Sequence, residues 1–259
     1  MQHLTRDGVK LFFEDTGSGE PPLLLVHGWT CDHTYMAPQF EHFRRTHRVI
    51  AVDLRGHGQS DKPQQAYTMA AFTDDLVWLC DQLKVKKPIV IGHSMGGVIG
   101  VELAARFPEI PGAVVTLDSP IVPPQELIEG LVVPTIEALR GPDYRSAQRK
   151  LVAEALFLPT DDPVRKARIV EAMSSAPQHV MASAFENIFI DTAAAVATCK
   201  VPLLILMAAQ PLSDVIRLRQ VCPDVVIGQT VGAGHFHQLE VPEQINAMIN
   251  RFLITSLPR

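Results

Sequence analysis

The sequence predicts an α/β protein with a mainly parallel sheet that is covered by helices on both faces. Short, fully apolar runs, which suit buried parallel strands, alternate with longer stretches of helical periodicity. This alternation favours a parallel sheet because each crossover places a helix on one face. A glycine-flanked serine, Ser94, also lies where one apolar run, residues 89–92, passes into a predicted helix over residues 98–107.

The composition indicates a large apolar core and no basic surface. The chain has 259 residues, of which 47% are hydrophobic, so it can bury one α/β core with an insertion, or two domains. Its net charge is −5 and its isoelectric point is about 6.0. These values argue against binding to nucleic acid. Nothing in the sequence indicates the oligomeric state.

Cysteine spacing and apolar runs indicate the cellular setting. The four cysteines show no CxxC pair or metal-ligand spacing, so we expect reduced thiols and no bound metal. The amino terminus has no apolar signal core, and no run approaches the roughly 18 apolar residues of a membrane span. We therefore expect a cytoplasmic protein without a membrane-spanning segment.

The amino-terminal half predicts a hairpin followed by alternating strands and helices. Asp7-Gly8 is a hairpin signal between a weak first strand and a second strand over residues 9–14. The predicted elements that follow are strand 23–26, a helix over about 34–45, strand 48–52, helix 68–83, and the strand and helix on either side of Ser94.

The carboxyl-terminal half predicts a helical insertion within the sheet. A strand over residues 112–117 ends at Asp118, and residues 119–200 then lack a strand pattern. Glycine and proline divide this stretch into three or four predicted helices. Strands resume at 201–207 and 225–231, and a helix over 242–253 closes the chain. We predict a core of residues 1–118 and 200–259, with a helical cap at 119–199 that covers the site as a lid.

The turn around Ser94 predicts an activated serine. The strand must pass into the helix within about one residue, which forces Ser94 into a strained backbone conformation. Gly92 and Gly96 remove the Cβ atoms that would collide in such a turn. The hydroxyl group then stands at the top of the sheet beside a helix N-terminus, whose free N–H groups favour developing negative charge.

Four motifs occur in order along the chain: His27-Gly28, Asp53-Leu54-Arg55-Gly56-His57-Gly58-Gln59-Ser60, Gly92-His93-Ser94-Met95-Gly96-Gly97 and Gly232-Ala233-Gly234-His235. Together they resemble those of the α/β-hydrolase fold family over nearly the whole chain. The resemblance implies a mostly parallel eight-stranded sheet with helices on both faces and a helical cap inserted after strand 6. It also implies that Ser94 is the nucleophile, that His235 is its base, and that the N–H groups of Trp29 and Met95 form the oxyanion hole. No metal or other cofactor is implied.

The triad acid departs from the family's usual pattern. The family usually places it after the seventh strand, where this chain has Gln210, and a neutral amide cannot stabilise an imidazolium as a carboxylate does. Asp118 and Asp214 are the two alternatives. Asp118 is favoured because its loop begins directly from a rigid strand, and some family members place their acid there. Asp214 also suits the N-cap of a helix.

The resemblance implies a serine hydrolase that cleaves a carboxylic ester, lactone or thioester of a small to medium apolar substrate. His33 and Ile121 are expected to line its pocket. A cofactor-independent dioxygenase that cleaves hydroxy-quinolone rings, with His235 and Asp118 as its base, is one alternative. Hydrolysis is favoured over it because Cys31 and Met95 stand where those enzymes carry histidines. A ligand receptor that keeps a slow triad is the other alternative.

Overall fold

The computed structural model describes residues 2–257. Its strands are β1 Gln2–Arg6, β2 Val9–Asp15, β3 Leu23–Val26, β4 Val49–Val52, β5 Ile89–His93, β6 Ala113–Leu117, β7 Leu203–Met207 and β8 Val226–Gln229. They form one sheet in the order β1-β2-β4-β3-β5-β6-β7-β8. Only the pairs that involve β2 are antiparallel among the described strands. This arrangement confirms the predicted fold class.

The helices lie between the strands and after the last one. They are α1 Ala37–Phe43, α2 Met69–Gln82, α3 Met95–Arg106, α4 Gln125–Leu127, α5 Val133–Arg140, α6 Tyr144–Ala155, α7 Pro163–Ser174, α8 Gln178–Ile188, α9 Thr192–Ala197, α10 Val215–Val221, α11 His237–Glu240 and α12 Pro242–Ser256. A 3₁₀ helix, His33–Met36, precedes α1, and a π-helix, Ile128–Val132, joins α4 to α5. Within residues 2–257 no helix has the length and apolar character that crossing a bilayer requires.

The five central strands, β3 to β7, are buried throughout because helices cover both faces of the sheet. Side chains alternate between the two faces along each strand. Val90 of β5 packs in the same apolar cluster as Phe72 of α2. Its neighbour Ile91 packs with Phe43 of α1 and Phe252 of α12. The two faces therefore have separate cores, and the carboxyl ends of the strands remain free to carry loops.

Helices α4 to α9, which we call the insertion, connect β6 to β7. The prediction of three or four helices was too low, since the insertion contains five helical segments once α4, the π-helix and α5 are taken as one continuous rod. Glycine or proline lies at the predicted breaks. The additional break is at residues 189–191, which contain neither glycine nor proline; there the Asp191 side chain accepts from the Ala194 N–H and starts α9.

Candidate active site

Ser94 occupies the strained turn that the sequence predicts. It lies between β5 and α3 with φ +53° and ψ −118°, a conformation that non-glycine residues adopt at a cost of about 1–3 kcal/mol. A Cβ atom on Gly92 would collide with the backbone of Gly96, and one on Gly96 would collide with the carbonyl groups of Val26 and His27. The close packing of strand and helix therefore requires both glycines.

His235 and Asp118 form a short, directed pair. The His235 Nδ1 lies 2.7 Å from one carboxylate oxygen of Asp118, and the Ala208 N–H donates to the other at 3.0 Å. Asp118 itself has φ +42°, and its N–H donates to the Leu206 carbonyl group at 2.7 Å. Because a carboxylate accepts, Nδ1 carries the proton and Nε2 is left as a base.

His93 supports the loop that carries His235. Its Nε2 lies 3.0 Å from the His235 carbonyl oxygen, which can only accept, so His93 donates from Nε2. Burial, together with the neighbouring His235, holds the pKa of His93 well below its ordinary value. His93 is therefore a neutral brace between β5 and the His235 loop.

The two candidate acids lie in different places. Asp214 is the N-cap of α10, where its side chain accepts from the Arg217 N–H at 3.0 Å. Gln210, at the position where the family usually carries the acid, is exposed. The carboxylate that contacts the His235 ring is therefore that of Asp118, on the strand next to the one that leads to Ser94.

Two backbone N–H groups near Ser94 have no acceptor among the described residues. Met95 is the first residue of α3, so its N–H lacks an intrahelical partner. Trp29 follows β3, the neighbour of β5, and its N–H is likewise without one. A Cβ atom on Gly28 would lie 3.0 Å from the His93 Nδ1 and 3.1 Å from the Ser94 Cβ, so the Gly28-Trp29 backbone packs directly against the serine.

Ser94 and His235 open into one cavity with a volume of about 80 Å³. Its remaining lining is almost wholly apolar, and no charged side chain of residues 2–257 lines it. It is formed by Gly28, Trp29, Cys31, His93, Pro120, Leu127, Leu131, Val132, Leu151, Leu156, Met173, Phe185, Ile188, Phe189, Leu212 and Phe236. Burial raises the pKa of the Cys31 thiol well above its ordinary value, so that wall is neutral as well.

The two residues expected to line the pocket do not line this cavity. Ile121 is fully buried in the apolar core beneath the insertion. His33 instead faces Asp53, at the start of the loop after β4, and its Nδ1 lies 2.8 Å from that carboxylate. Residues of the insertion line the cavity in their place, because α4 to α8 fold back over the carboxyl edge of the sheet.

Asp32, His33 and Asp53 form a group of possible metal ligands whose atoms lie within 4.8 Å of one another. Asp53 already accepts from the His33 N–H at 2.7 Å and from the Gln59 N–H at 2.7 Å. Burial opposes charge on His33, but the hydrogen bond and charge of Asp53 outweigh it and raise the pKa of the ring. The group is an internally satisfied brace between two loops.

Sequence reasoning missed one polar residue near the site, Gln148 of α6. It is fully buried, and its amide contacts Thr30, directly after Trp29. A signal for it does exist in the sequence, since Gln148 occupies the apolar face of α6 together with Leu151 and Val152. A polar side chain on such a face needs a buried partner, although the pattern does not identify that partner.

The chain matches the family model described as alpha/beta hydrolase fold over residues 21–134. It is 39% identical over 103 residues to the AB hydrolase superfamily protein YisY of Bacillus subtilis, which covers 39% of this chain and 38% of that protein. It is 29% identical over 267 residues to the 2-(acetamidomethylene)succinate hydrolase of Mesorhizobium japonicum, which covers 95% of this chain and 92% of that enzyme. The relatives matched first are covered over only 32% to 38% of their lengths.

A solved structure is similar in fold to this protein along the whole chain. The thermophilic esterase of Thermogutta terrifontis aligns with a TM-score of 0.86 at 26% identity, and the match covers 100% of both chains. The chain therefore has the α/β-hydrolase fold. Its relatives and structural neighbours include hydrolases and esterases.

Proposed function

We propose that this protein is a serine hydrolase that cleaves an ester, lactone or thioester of a short, uncharged, apolar carboxylic acid through an acyl-enzyme on Ser94. The observation that carries the proposal is the 2.7 Å His235–Asp118 pair, whose histidine lines the same apolar cavity as Ser94. A serine hydroxyl is a weak nucleophile, and an adjacent oriented base activates it. The residues present supply each part that acyl transfer needs without a cofactor.

In the proposed acylation step, the Ser94 Oγ attacks the substrate carbonyl carbon while the His235 Nε2 takes the hydroxyl proton. Asp118 holds the Nδ1–H tautomer and stabilises the imidazolium that forms, because its carboxylate lies 2.7 Å away. The N–H groups of Trp29 and Met95 bind the negative oxygen of the tetrahedral intermediate. His235 then returns the proton to the leaving oxygen or sulfur atom.

In the deacylation step, water repeats the same cycle from the other side. His235 takes a proton from the water, which attacks the acyl carbonyl group. The tetrahedral intermediate then collapses, the bond between the acyl carbon and the Ser94 Oγ breaks, and His235 returns its proton to that oxygen as the carboxylic acid leaves. Met95 begins the twelve-residue helix α3, so the partial positive charge of its N-terminus favours both oxyanions. The strained Ser94 conformation keeps the Oγ atom beside the N-terminus of α3 in both steps.

The cavity wall supports the substrate class. A carboxylate placed among the leucine and phenylalanine side chains would lose its hydration without gaining a cation, which costs several kcal/mol. The Mesorhizobium relative is named for a succinate derivative, a dicarboxylic acid. We infer that this chain takes a different substrate, because its wall supplies no arginine or lysine to pair with a carboxylate. A volume of about 80 Å³ favours a short acyl chain.

The same wall argues against the ring-cleaving dioxygenase. That reaction requires polar groups to hold a planar hydroxy-oxo heterocycle, whereas Cys31 and Met95 offer a neutral thiol and an apolar side chain. A fluorophosphonate probe together with p-nitrophenyl butyrate separates the hypotheses. The proposal expects hydrolysis, a burst of p-nitrophenol and one labelled site that Ser94→Ala abolishes. If the folded protein showed no turnover and no labelling at Ser94, the hydrolase would be excluded.

A further inference from the structure

The loop that carries the Trp29 oxyanion donor is attached to the insertion rather than only to the sheet. The Trp29 indole Nε1–H donates to the Met181 carbonyl group of α8 at 2.9 Å. The indole ring also packs against Phe185 of the same helix, with 4.8 Å between ring centroids. The insertion therefore fixes the side chain of the residue that we propose as an oxyanion donor.

The next residue, Thr30, has the same kind of attachment to a second helix. Thr30 is β-branched and has φ +52°, a conformation that persists only when surrounding contacts hold it. Its hydroxyl oxygen accepts from the Gln148 Nε2 of α6 at 3.0 Å. The same Nε2 donates to the Met173 carbonyl group of α7 at 2.8 Å. One amide group thus joins α6, α7 and the Trp29–Thr30 segment, which we call the oxyanion loop.

The orientation of this amide is determined by its partners. The Met173 carbonyl oxygen can only accept, so the NH₂ end of Gln148 must face it, and the second N–H is then directed to Thr30. Gln148 is 0% exposed. Loss of its amide would leave a buried carbonyl group and a buried hydroxyl group without that partner, and the strained Thr30 backbone would lose its polar restraint.

We propose that Gln148 is a positioning residue, which holds the Trp29 N–H in the oxyanion hole by restraining Thr30. This inference rests on the proposed hydrolase function. Oxyanion stabilisation depends on donors that are fixed before the charge develops. A small displacement of the Trp29–Thr30 backbone therefore reduces the stabilisation of the transition state more than it reduces the affinity for the substrate. The insertion then takes part in catalysis as well as covering the cavity.

The test uses Gln148→Leu, which keeps a side chain of similar volume and removes the amide. A matched control is Gln178→Leu. Like the Gln148 Nε2, the Gln178 Nε2 donates to two acceptors. They are the backbone carbonyl groups of Leu139 at 3.1 Å and Gly141 at 2.8 Å, and both lie within the insertion. The two variants therefore lose the same kind of hydrogen bonds, and only one of them loses a contact with the oxyanion loop.

For Gln148→Leu we expect kcat for p-nitrophenyl butyrate to fall about tenfold, less than the ~10²–10³-fold loss caused by deletion of an oxyanion donor. KM should stay within about twofold, and the Ki of an alkylboronic acid, which mimics the tetrahedral intermediate, should rise in parallel with the loss of kcat. Gln178→Leu should lower Tm without changing kcat, KM or the Ki of the boronic acid.

Two further variants keep the test decisive if Gln148→Leu does not fold. Thr30→Val removes the acceptor and keeps the shape, so it should reproduce the loss of kcat. Thr30→Ser keeps the acceptor and should restore kcat toward the wild-type value. An unchanged kcat in Gln148→Leu and Thr30→Val, or an equal loss in Gln178→Leu, would overturn the role of Gln148. Failure of the wild-type protein to hydrolyse esters would instead reject the proposed function, so the two failures are distinguishable.

Discussion

Two histidine–carboxylate pairs with almost the same geometry lie in different surroundings. His235 Nδ1 is 2.7 Å from Asp118, and His33 Nδ1 is 2.8 Å from Asp53. Both carboxylates follow strands, β6 and β4, at the carboxyl edge of the sheet. Of these four residues, only His235 lines the cavity that Ser94 opens into. The second pair lines a polar pocket with Asp32, Gln59 and Lys62.

The difference shows that a histidine–carboxylate contact does not by itself define a catalytic site. Asp53 also accepts backbone hydrogen bonds from His33 and Gln59, so its lone pairs are engaged in holding two loops together. Asp118 accepts one backbone N–H and directs its other oxygen to a histidine whose second nitrogen is free to act as a base. We therefore expect the His235–Asp118 pair to control catalysis and the His33–Asp53 pair to contribute to stability.

The largest expected effect separates the two histidines. His235→Ala should lower kcat for p-nitrophenyl butyrate by roughly 10⁴–10⁶-fold, as removal of a triad histidine does elsewhere. His33→Ala should leave kcat within about threefold and lower the free energy of unfolding, since it removes a hydrogen bond to a charged group worth about 1.5–3 kcal/mol. Steady-state kinetics and urea unfolding measure the two quantities. A loss of kcat in His33→Ala that matches His235→Ala would abolish the distinction.

The next effect separates the two candidate acids. Asp118→Asn should lower kcat by about 10⁴-fold, because an amide stabilises the wrong histidine tautomer and no imidazolium. Asp214→Ala should leave kcat unchanged and cost about 0.5–2 kcal/mol of stability through loss of the α10 cap. Equal and small effects of both substitutions on kcat would reject Asp118 as the acid. Circular dichroism of each variant verifies that the fold is retained.

Much of this arrangement was predictable, because local rules determine it. Gly92 and Gly96 predict the strained turn at Ser94, and the apolar runs predict the strands to within one or two residues. Asp118 was preferred to Asp214 because it extends from a strand. His33 and Ile121 do not line the cavity beside Ser94, since its lining depends on how the insertion packs over the sheet. The sequence gives little sign of such long-range contacts. For the contact of Gln148 with Thr30, the one sign is a polar residue on the apolar face of a helix.

A third effect tests the contrast between the apolar and polar surroundings of the two pairs. p-Nitrophenyl butyrate and p-nitrophenyl hemisuccinate carry acyl chains of the same length, and only the second bears a carboxylate. We expect kcat/KM for the hemisuccinate to be lower by about 10²–10³-fold, since no cation in the cavity wall offsets the loss of hydration. Similar kcat/KM values for the two esters would show that the acyl group does not enter the apolar cavity.

The smallest effect is the pH dependence of the His33–Asp53 pair. The folded-state pKa of His33 is raised and that of Asp53 is lowered. The contribution of His33 to stability is therefore fully present below its unfolded pKa of about 6.5 and is lost as the pH rises through the folded value, while that of Asp53 is lost in acid. The stability difference between wild type and His33→Gln should be largest near pH 5. It should shrink by about 0.5–1 kcal/mol toward pH 8, because solvent screens the partly exposed ring.

A stability difference between wild type and His33→Gln that grows as the pH rises from 5 to 8 would show that His33 is neutral in the folded protein. Urea unfolding of both proteins at intervals of half a pH unit measures the difference directly. His47→Gln is a suitable control, since the His47 Nδ1 contacts only the Pro21 carbonyl group and no carboxylate. Its stability difference from wild type should change little over the same pH range.

The rate at which a fluorophosphonate labels Ser94 measures how strongly the His235–Asp118 pair activates the serine, without reference to any substrate. We predict stoichiometric labelling of the wild-type protein, a second-order rate constant lowered by more than about 10³-fold in His235→Ala, and a rate close to that of wild type in His33→Ala. Equal labelling rates in the folded His235→Ala variant and the wild type would contradict the account, since Ser94 would then not depend on the His235–Asp118 pair.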